Sequence, residues 1–215
     1  MEELPFDLPP EPATGLRDVV DVEGKIERAL ESLGPVAGRA VALIGRSDGV
    51  IATRLTRAGA RLRTVAFDHG SLPLTSGSVE VVVAAWGTFR GVDAGELAAV
   101  DRVLRPGGRM LVIHDYGRDD VSHLRDASLP EYTTWSRRDG PFLSSGFKIR
   151  VLHCFWTWPT LEAAHAMLAA FGPAGLELAG SLRRPRATWN VAVYHRWRHG
   201  RMPEVGVPQR LLAGV

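Results

Sequence analysis

The run Val41-Ala-Leu-Ile-Gly-Arg-Ser-Asp-Gly49 decides how the rest of the chain is read. Four apolar residues break at a glycine, pass through small and polar residues, and open into a helical pattern from Val50 to Ala58. Strand, turn and helix in that order make the first unit of a nucleotide-binding α/β sheet. Glycines let such a turn run tightly and let a ligand approach the main chain, and the helix start behind it offers unpaired N–H groups. The dinucleotide spacing G-x-G-x-x-G is not met, because Gly45, Ser47 and Gly49 fall at alternate positions and Ala52 stands three beyond Gly49.

The 215 residues, 45% hydrophobic and 23% charged, fit a single globular domain with one core, residues 1–215. A lone cysteine, Cys154, excludes an internal disulfide and a cysteine-rich metal site, and fits a reducing, cytoplasmic home. No apolar run approaches the roughly 18 residues of a membrane span, and Met1-Glu-Glu-Leu-Pro lacks the basic and apolar regions of a signal peptide. A net charge of +2 makes no case for nucleic acid. Neither His-x-His nor His-Glu-x-x-His occurs, so no metal is expected, and no Gly-x-Ser-x-Gly elbow supports a hydrolase.

Along the chain, residues 1–15 carry Pro5, Pro9, Pro10 and Pro12 and read as an extended N-terminal arm. Helical spacing of Val19, Val22, Ile26, Ala29, Leu30 and Leu33 predicts one helix over 16–33, stopped by Gly34-Pro35. Ser47 or Asp48 can cap the helix from Val50, and a strand is expected at Leu62–Phe67. Residues 79–85 are nearly continuously apolar, as in a central parallel strand covered on both faces. Asp93 can cap a helix closing on Arg105-Pro-Gly-Gly108, with a strand at Met110–Ile113. Residues 116–146 are polar and turn-rich, with Tyr132 and Trp135, and read as a lid over the pocket mouth. Strands are expected at Phe147–Trp156 and Thr188–Trp197, with a helix from Thr157 or Thr160 to Phe171-Gly172 between them. The run Arg183-Arg-Pro-Arg186 reads as a solvated turn and 199–215 as a peripheral tail.

The turn Gly45-x-Ser47-x-Gly49 resembles the G-x-G-x-G turn of class I S-adenosylmethionine-dependent methyltransferases, with serine in the middle place. Asp68, followed by Leu72-Pro73, a polar turn and the apolar run to Trp86, is similar to a second stretch of that family. Arg102-Val-Leu-Arg-Pro-Gly-Gly-Arg-Met-Leu-Val-Ile113 resembles its helix, Pro-Gly-Gly turn and fifth strand. The resemblance implies a Rossmann-like three-layer α/β sandwich, mostly parallel, with an antiparallel C-terminal strand. It also implies S-adenosylmethionine near Gly45, Ser47 and Gly49, its base near Asp68 and Leu72, and Trp86 lining the pocket.

Three departures qualify that reading. Leu43 stands where the family has an acid, and Ser47 replaces a glycine. Only Val50–Leu72 separates the turn from the Leu-Pro segment. A full family member needs roughly 20 to 25 further residues there, so about one helix and one strand are expected to be missing. Asp68 then fits either of two places, the ribose contact after a second strand or the adenine contact after a third.

Methyl transfer to oxygen or nitrogen needs in-line approach and loss of a proton, and His114 and Asp115 are the candidate general bases. The same positions also read as structure: His114 as a bonded strand-end histidine, Trp86 as core, and His153, beside Cys154, as a packed strand residue. Two functions are carried forward. One is an S-adenosylmethionine-dependent methyltransferase acting on a small molecule. The alternative is a protein of the same fold that has lost catalysis and serves as a binding or scaffold subunit for a protein partner or a second copy. A nicotinamide-linked oxidoreductase is disfavoured by the glycine spacing.

Overall fold

The computed structural model describes residues 10–67, 70–87, 89–124 and 130–198. Its elements are α1 (Pro10–Val19), α2 (Lys25–Leu33), β1 (Ala40–Ile44), α3 (Val50–Arg57), β2 (Arg61–Val65), β3 (Val79–Ala85), α4 (Ala94–Val103) and β4 (Leu104–Asp115). There follow α5 (Pro130–Trp135), α6 (Pro141–Ser144), β5 (Lys148–Thr157), α7 (Leu161–Leu168), α8 (Gly172–Ser181) and β6 (Arg186–Trp197), with 3-10 turns at Val121–Leu124 and Ala169–Phe171.

The six strands form one sheet in the order β2-β1-β3-β4-β6-β5. β2, β1, β3 and β4 run parallel, while β6 runs antiparallel to both of its neighbours. The parallel centre is the most apolar part of the chain: Val41, Val82, Val83, Leu111 and Val112 are fully buried. Alternate residues of these strands feed two cores, one under α1, α2, α3, α7 and α8, the other under α4 and residues 135–147. The result is the mixed three-layer sandwich anticipated above. Among the described residues no strand lies beyond β2, so this edge is short by the strand that the residue count said was missing.

Several local expectations change. Residues 10–15 form the first turns of α1 and not part of an extended arm; residues 1–9 lie outside the described residues. The helix expected over 16–33 is two helices, separated by Asp21 (φ 48°) and Gly24 (φ 68°). Asp21 turns its carboxylate onto the N–H groups of Lys25 and Ile26, at 2.9 Å each, and so starts α2. The same carboxylate receives Arg54 of α3 at 2.6 Å, and Arg54 also bonds the carbonyls of Val20 and Asp21, locking the break against α3. Beyond Phe171-Gly172, where the helix was expected to end, a further helix, α8, begins; Pro173 is tolerated in its first turn, which needs no N–H there. Asp93 and Thr160 do cap α4 and α7.

Candidate functional site

In an open α/β sheet the ligand place lies beyond the carboxyl ends of the strands, where successive connections leave to opposite sides. Here that switch lies between β1 and β3, since β2 follows β1 on one side and β3 stands on the other. The Gly45–Gly49 turn sits at this point, and Leu43, Gly45, Arg46, Gly49, Ile51, Ala52 and Ala85 line the cleft in front of it. The cleft has an accessible volume of about 10 Å³, enough for a single water.

Of the two purposes expected of the glycines here, a tight turn and an open main chain, the first is not served. Neither Gly45 nor Gly49 has a positive φ, and Gly49 is extended at φ −83°. A Cβ at Gly45 would meet only the Leu43 side chain, at 3.5 Å, so the missing side chains leave the approach to the main chain clear and do not make the turn possible. Ser47 is exposed. Gly49 stands at the N-cap of α3, and Asp48 is held by Arg46 through two bonds, at 3.0 and 2.7 Å. That guanidinium keeps the exposed Asp48 carboxyl below its usual range.

Leu72 is buried on the α4 side of the sheet. Asp68 lies outside the described residues, but the strand that precedes it, β2, pairs with β1 and so takes the second-strand place.

β4 ends in His114 and Asp115, and adjacent strand residues face opposite ways. His114 is fully buried on the α4 side, with its Nε2 2.7 Å from the Phe89 carbonyl and its ring 4.6 Å from Trp135 and 6.0 Å from Phe142. A carbonyl only accepts, so Nε2 carries the proton. Asp115 points the other way. Its Oδ1 accepts from the indole N–H groups of Trp86, at 3.2 Å, and Trp189, at 3.1 Å, whose rings stack 5.9 Å apart and 18° from parallel. All three side chains are 1–2% exposed. Trp86 has φ 45° and Phe89 φ 55°, left-handed values uncommon for aromatic residues, so the chain leaving β3 is bent to deliver the indole onto Asp115.

The structure thus brings Gly45, Gly49, Asp115 and Trp86 to one end of the sheet and sets His114 on its other face. Trp189, 74 residues from Asp115, was not legible in sequence as its partner. Nor was the setting of His153, which is exposed and bonded to Asn190 at 2.8 Å instead of packed in the core. In the 116–146 segment, Trp135 and Phe142 are buried, and Phe142 stacks on Tyr194 at 4.1 Å, so this part of the expected lid is a wall of the second core. Among the described residues no three His, Cys, Asp or Glu side chains gather as metal ligands, and no helix is long and apolar enough to cross a membrane.

No family model matches the sequence, and no curated protein does. Solved structures do match. One, from Anaeromyxobacter dehalogenans and assigned by name to the type II methyltransferases, aligns at a TM-score of 0.51 and 20% identity, over 90% of this chain and 98% of its own. Another, from Anabaena variabilis and assigned by name as a methyltransferase of an antibiotic biosynthesis pathway, aligns at 0.54 and 12% identity, over 84% and 99%. The chain therefore has the Rossmann-like fold of the class I S-adenosylmethionine-dependent methyltransferases.

Proposed function

We propose that this protein is an S-adenosylmethionine-dependent methyltransferase acting on a small molecule, with a cofactor cleft that is closed in the conformation described. The observation that carries this reading is the Gly45–Gly49 turn, standing at the switch point of a methyltransferase-type sheet with β3 delivering Ala85 and Trp86 beside it. The methionine end and ribose of the cofactor would lie against Gly45, Ser47 and Gly49, and Trp86 would form a wall. Asp68 is assigned to the ribose hydroxyls, because the strand before it pairs with β1; Leu72 would stand behind the base. Of the two candidate bases, Asp115 shares the face of Trp86 and α3, so it is the group that can reach an acceptor there once an indole N–H leaves it. His114 supports the opposite side of the same strand end.

A second reading has its own observation. A cleft of about 10 Å³ is far below the roughly 300 Å³ of a small-molecule site, and the strand that would extend the wall past β2 is missing. A scaffold subunit that keeps the fold, with a protein partner or second copy completing it, accounts for both.

Titration calorimetry with S-adenosylmethionine separates the two. Stoichiometric binding that Asp68→Ala weakens about ten- to a hundredfold, the loss of a charge-assisted bond pair, supports the enzyme. Absence of binding to the folded protein supports the scaffold.

A further inference from the structure

The opposite end of the sheet, where β1, β3 and β4 begin and β6 finishes, holds a cavity that the Gly45–Gly49 turn does not use. Its volume is about 300 Å³, at the lower end of the range for small-molecule sites, against about 10 Å³ for the cleft at the turn. Glu80 beside the cavity and Ala85 beside the turn are five residues apart on β3, so about 17 Å separates the two places.

One wall comes from a break in the strand ladder. Between the pairs Val79–Leu104 and Val81–Arg109, the four residues Arg105-Pro-Gly-Gly108 stand against Glu80 alone, so the chain loops outward there. Gly107 takes φ 73°, and a Cβ at Gly108 would stand 2.9 Å from the Arg105 carbonyl oxygen and 3.0 Å from that of Glu80. Both positions therefore need glycine, and the loop is pressed onto β3 with Arg105 beside Glu80.

The charges gathered here do not balance. Glu80 is the one acid among the described residues of the lining, and three guanidiniums surround it: Arg39 at 2.7 Å, Arg61 at 3.7 Å and Arg105 at 3.9 Å. The Arg105 side chain is half exposed and otherwise makes a long bond, 3.4 Å, to the Gly77 carbonyl. On the α2 side of the cavity, Arg109 donates to the Leu33 carbonyl and lies over the ring of Trp197, 3.6 Å from its centre. No carboxylate among the described residues pairs with Arg109, and burial pulls its pKa down, as for a cation drawn from water without a counter-charge. Trp197 is 54% exposed, so the ring face away from Arg109 is open.

Each part of this lining selects for a chemistry. Guanidiniums present paired donors that match the oxygens of a phosphate, and an open indole face accepts a flat ring. An ammonium ligand would be repelled, and a neutral one would leave the guanidiniums without a counter-charge. We propose that the cavity is a second ligand site, for a small molecule carrying both a phosphate and an aromatic ring: Arg105 and Arg109 hold the phosphate, and Trp197 stacks on the ring. The site stands apart from the Gly45–Gly49 cleft and does not require that cofactor binds there.

The test is a titration of the full chain with phenyl phosphate at about pH 8, where the phosphate carries both charges, followed through the indole N–H signals by proton–nitrogen NMR. Trp197→Phe identifies the Trp197 signal. That signal is expected to shift saturably while those of Trp86 and Trp189, at the other end of the sheet, stay in place. Phenol and inorganic phosphate, each lacking one half of the ligand, should bind at least about tenfold more weakly, and Arg105→Gln should weaken phenyl phosphate about tenfold, the loss of one charge-assisted bond. Arg109→Gln should do the same; because Arg109 also holds the end of α2, its melt is compared with that of the parent, and the exposed Arg105 keeps the test decisive if Arg109→Gln does not fold. Absence of a saturable Trp197 shift, or an unchanged affinity in Arg105→Gln with an intact melt, overturns the site. Phenol or benzoate binding as tightly as phenyl phosphate overturns phosphate recognition, and inorganic phosphate binding as tightly overturns the stacked ring.

Discussion

β2 and β6 flank the same parallel centre and are built very differently. β2 has five residues, none fully buried, and a single neighbour. β6 has twelve, with Ala187, Trp189, Val191, Ala192, Val193 and Tyr194 at most 1% exposed, and a partner on each side. The glycine-turn side of the sheet is therefore trimmed and shallow, while the β4–β6–β5 side is long, deeply packed and bound by side-chain hydrogen bonds. Loss of a helix and strand at one edge is tolerated because the edge strand buries little, so little apolar surface has to be covered when its neighbour is gone. The same trimming leaves the cleft in front of the Gly45–Gly49 turn with fewer walls.

The largest perturbation should erase the contrast. Val82 of β3 is fully buried and pairs with Ala42 on one side and Met110 on the other, so it belongs to both halves. Val82→Asp places an unpaired charge there and should unfold the whole domain, read as loss of the cooperative thermal transition. A surviving melt with only β2 and α3 disordered would show that the halves fold separately.

Next in size is the lock between Asp21 and Arg54, whose side chains are 1% and 13% exposed. Asp21→Ala leaves the guanidinium half-satisfied and removes the acceptor at the start of α2, and should cost about 3 kcal/mol in denaturant unfolding. The loss should appear as faster hydrogen exchange in α2 and α3 before β6.

Trp86→Phe and Trp189→Phe each take one indole donor from the buried Asp115. Each should destabilise by about 1–2 kcal/mol, and the pair should be non-additive because both donors reach the same oxygen. If closure of the cleft depends on this clamp, Trp86→Phe should also raise the affinity for S-adenosylmethionine while Trp189→Phe, farther along the sheet, does so less.

Smallest is Glu80, which accepts from the Ala40 main-chain N–H at 2.9 Å and from Arg39 at 2.7 Å, staplings that hold its carboxyl below the usual range. A folded pKa below the unfolded one gives stability that is complete above the ordinary carboxylate range and is lost as pH falls through the folded value. Glu80→Gln should lower stability by about 1 kcal/mol at pH 7, and its melting midpoint should converge on that of the parent protein in acid.

Much of this molecule can be read from its residues in order. The continuous apolar run at 79–85 could only be a strand covered on both faces, Asp93 and Thr160 marked helix starts by their side-chain oxygens, and the residue count between Gly49 and Leu72 left no room for a further helix and strand. These signals are local, because strand burial and helix capping act within a few residues. The break at Asp21 was hidden, since the arginine that stabilises its left-handed backbone lies 33 residues away. What only the tertiary structure decided is which polar groups meet. His114 and Asp115 are adjacent in sequence yet face opposite cores, because a strand alternates its side chains. Asp115 gains its two indoles, and His153 its orienting amide, from strands brought together by the sheet, and hydrogen bonding depends on distance in space, which sequence separation does not record.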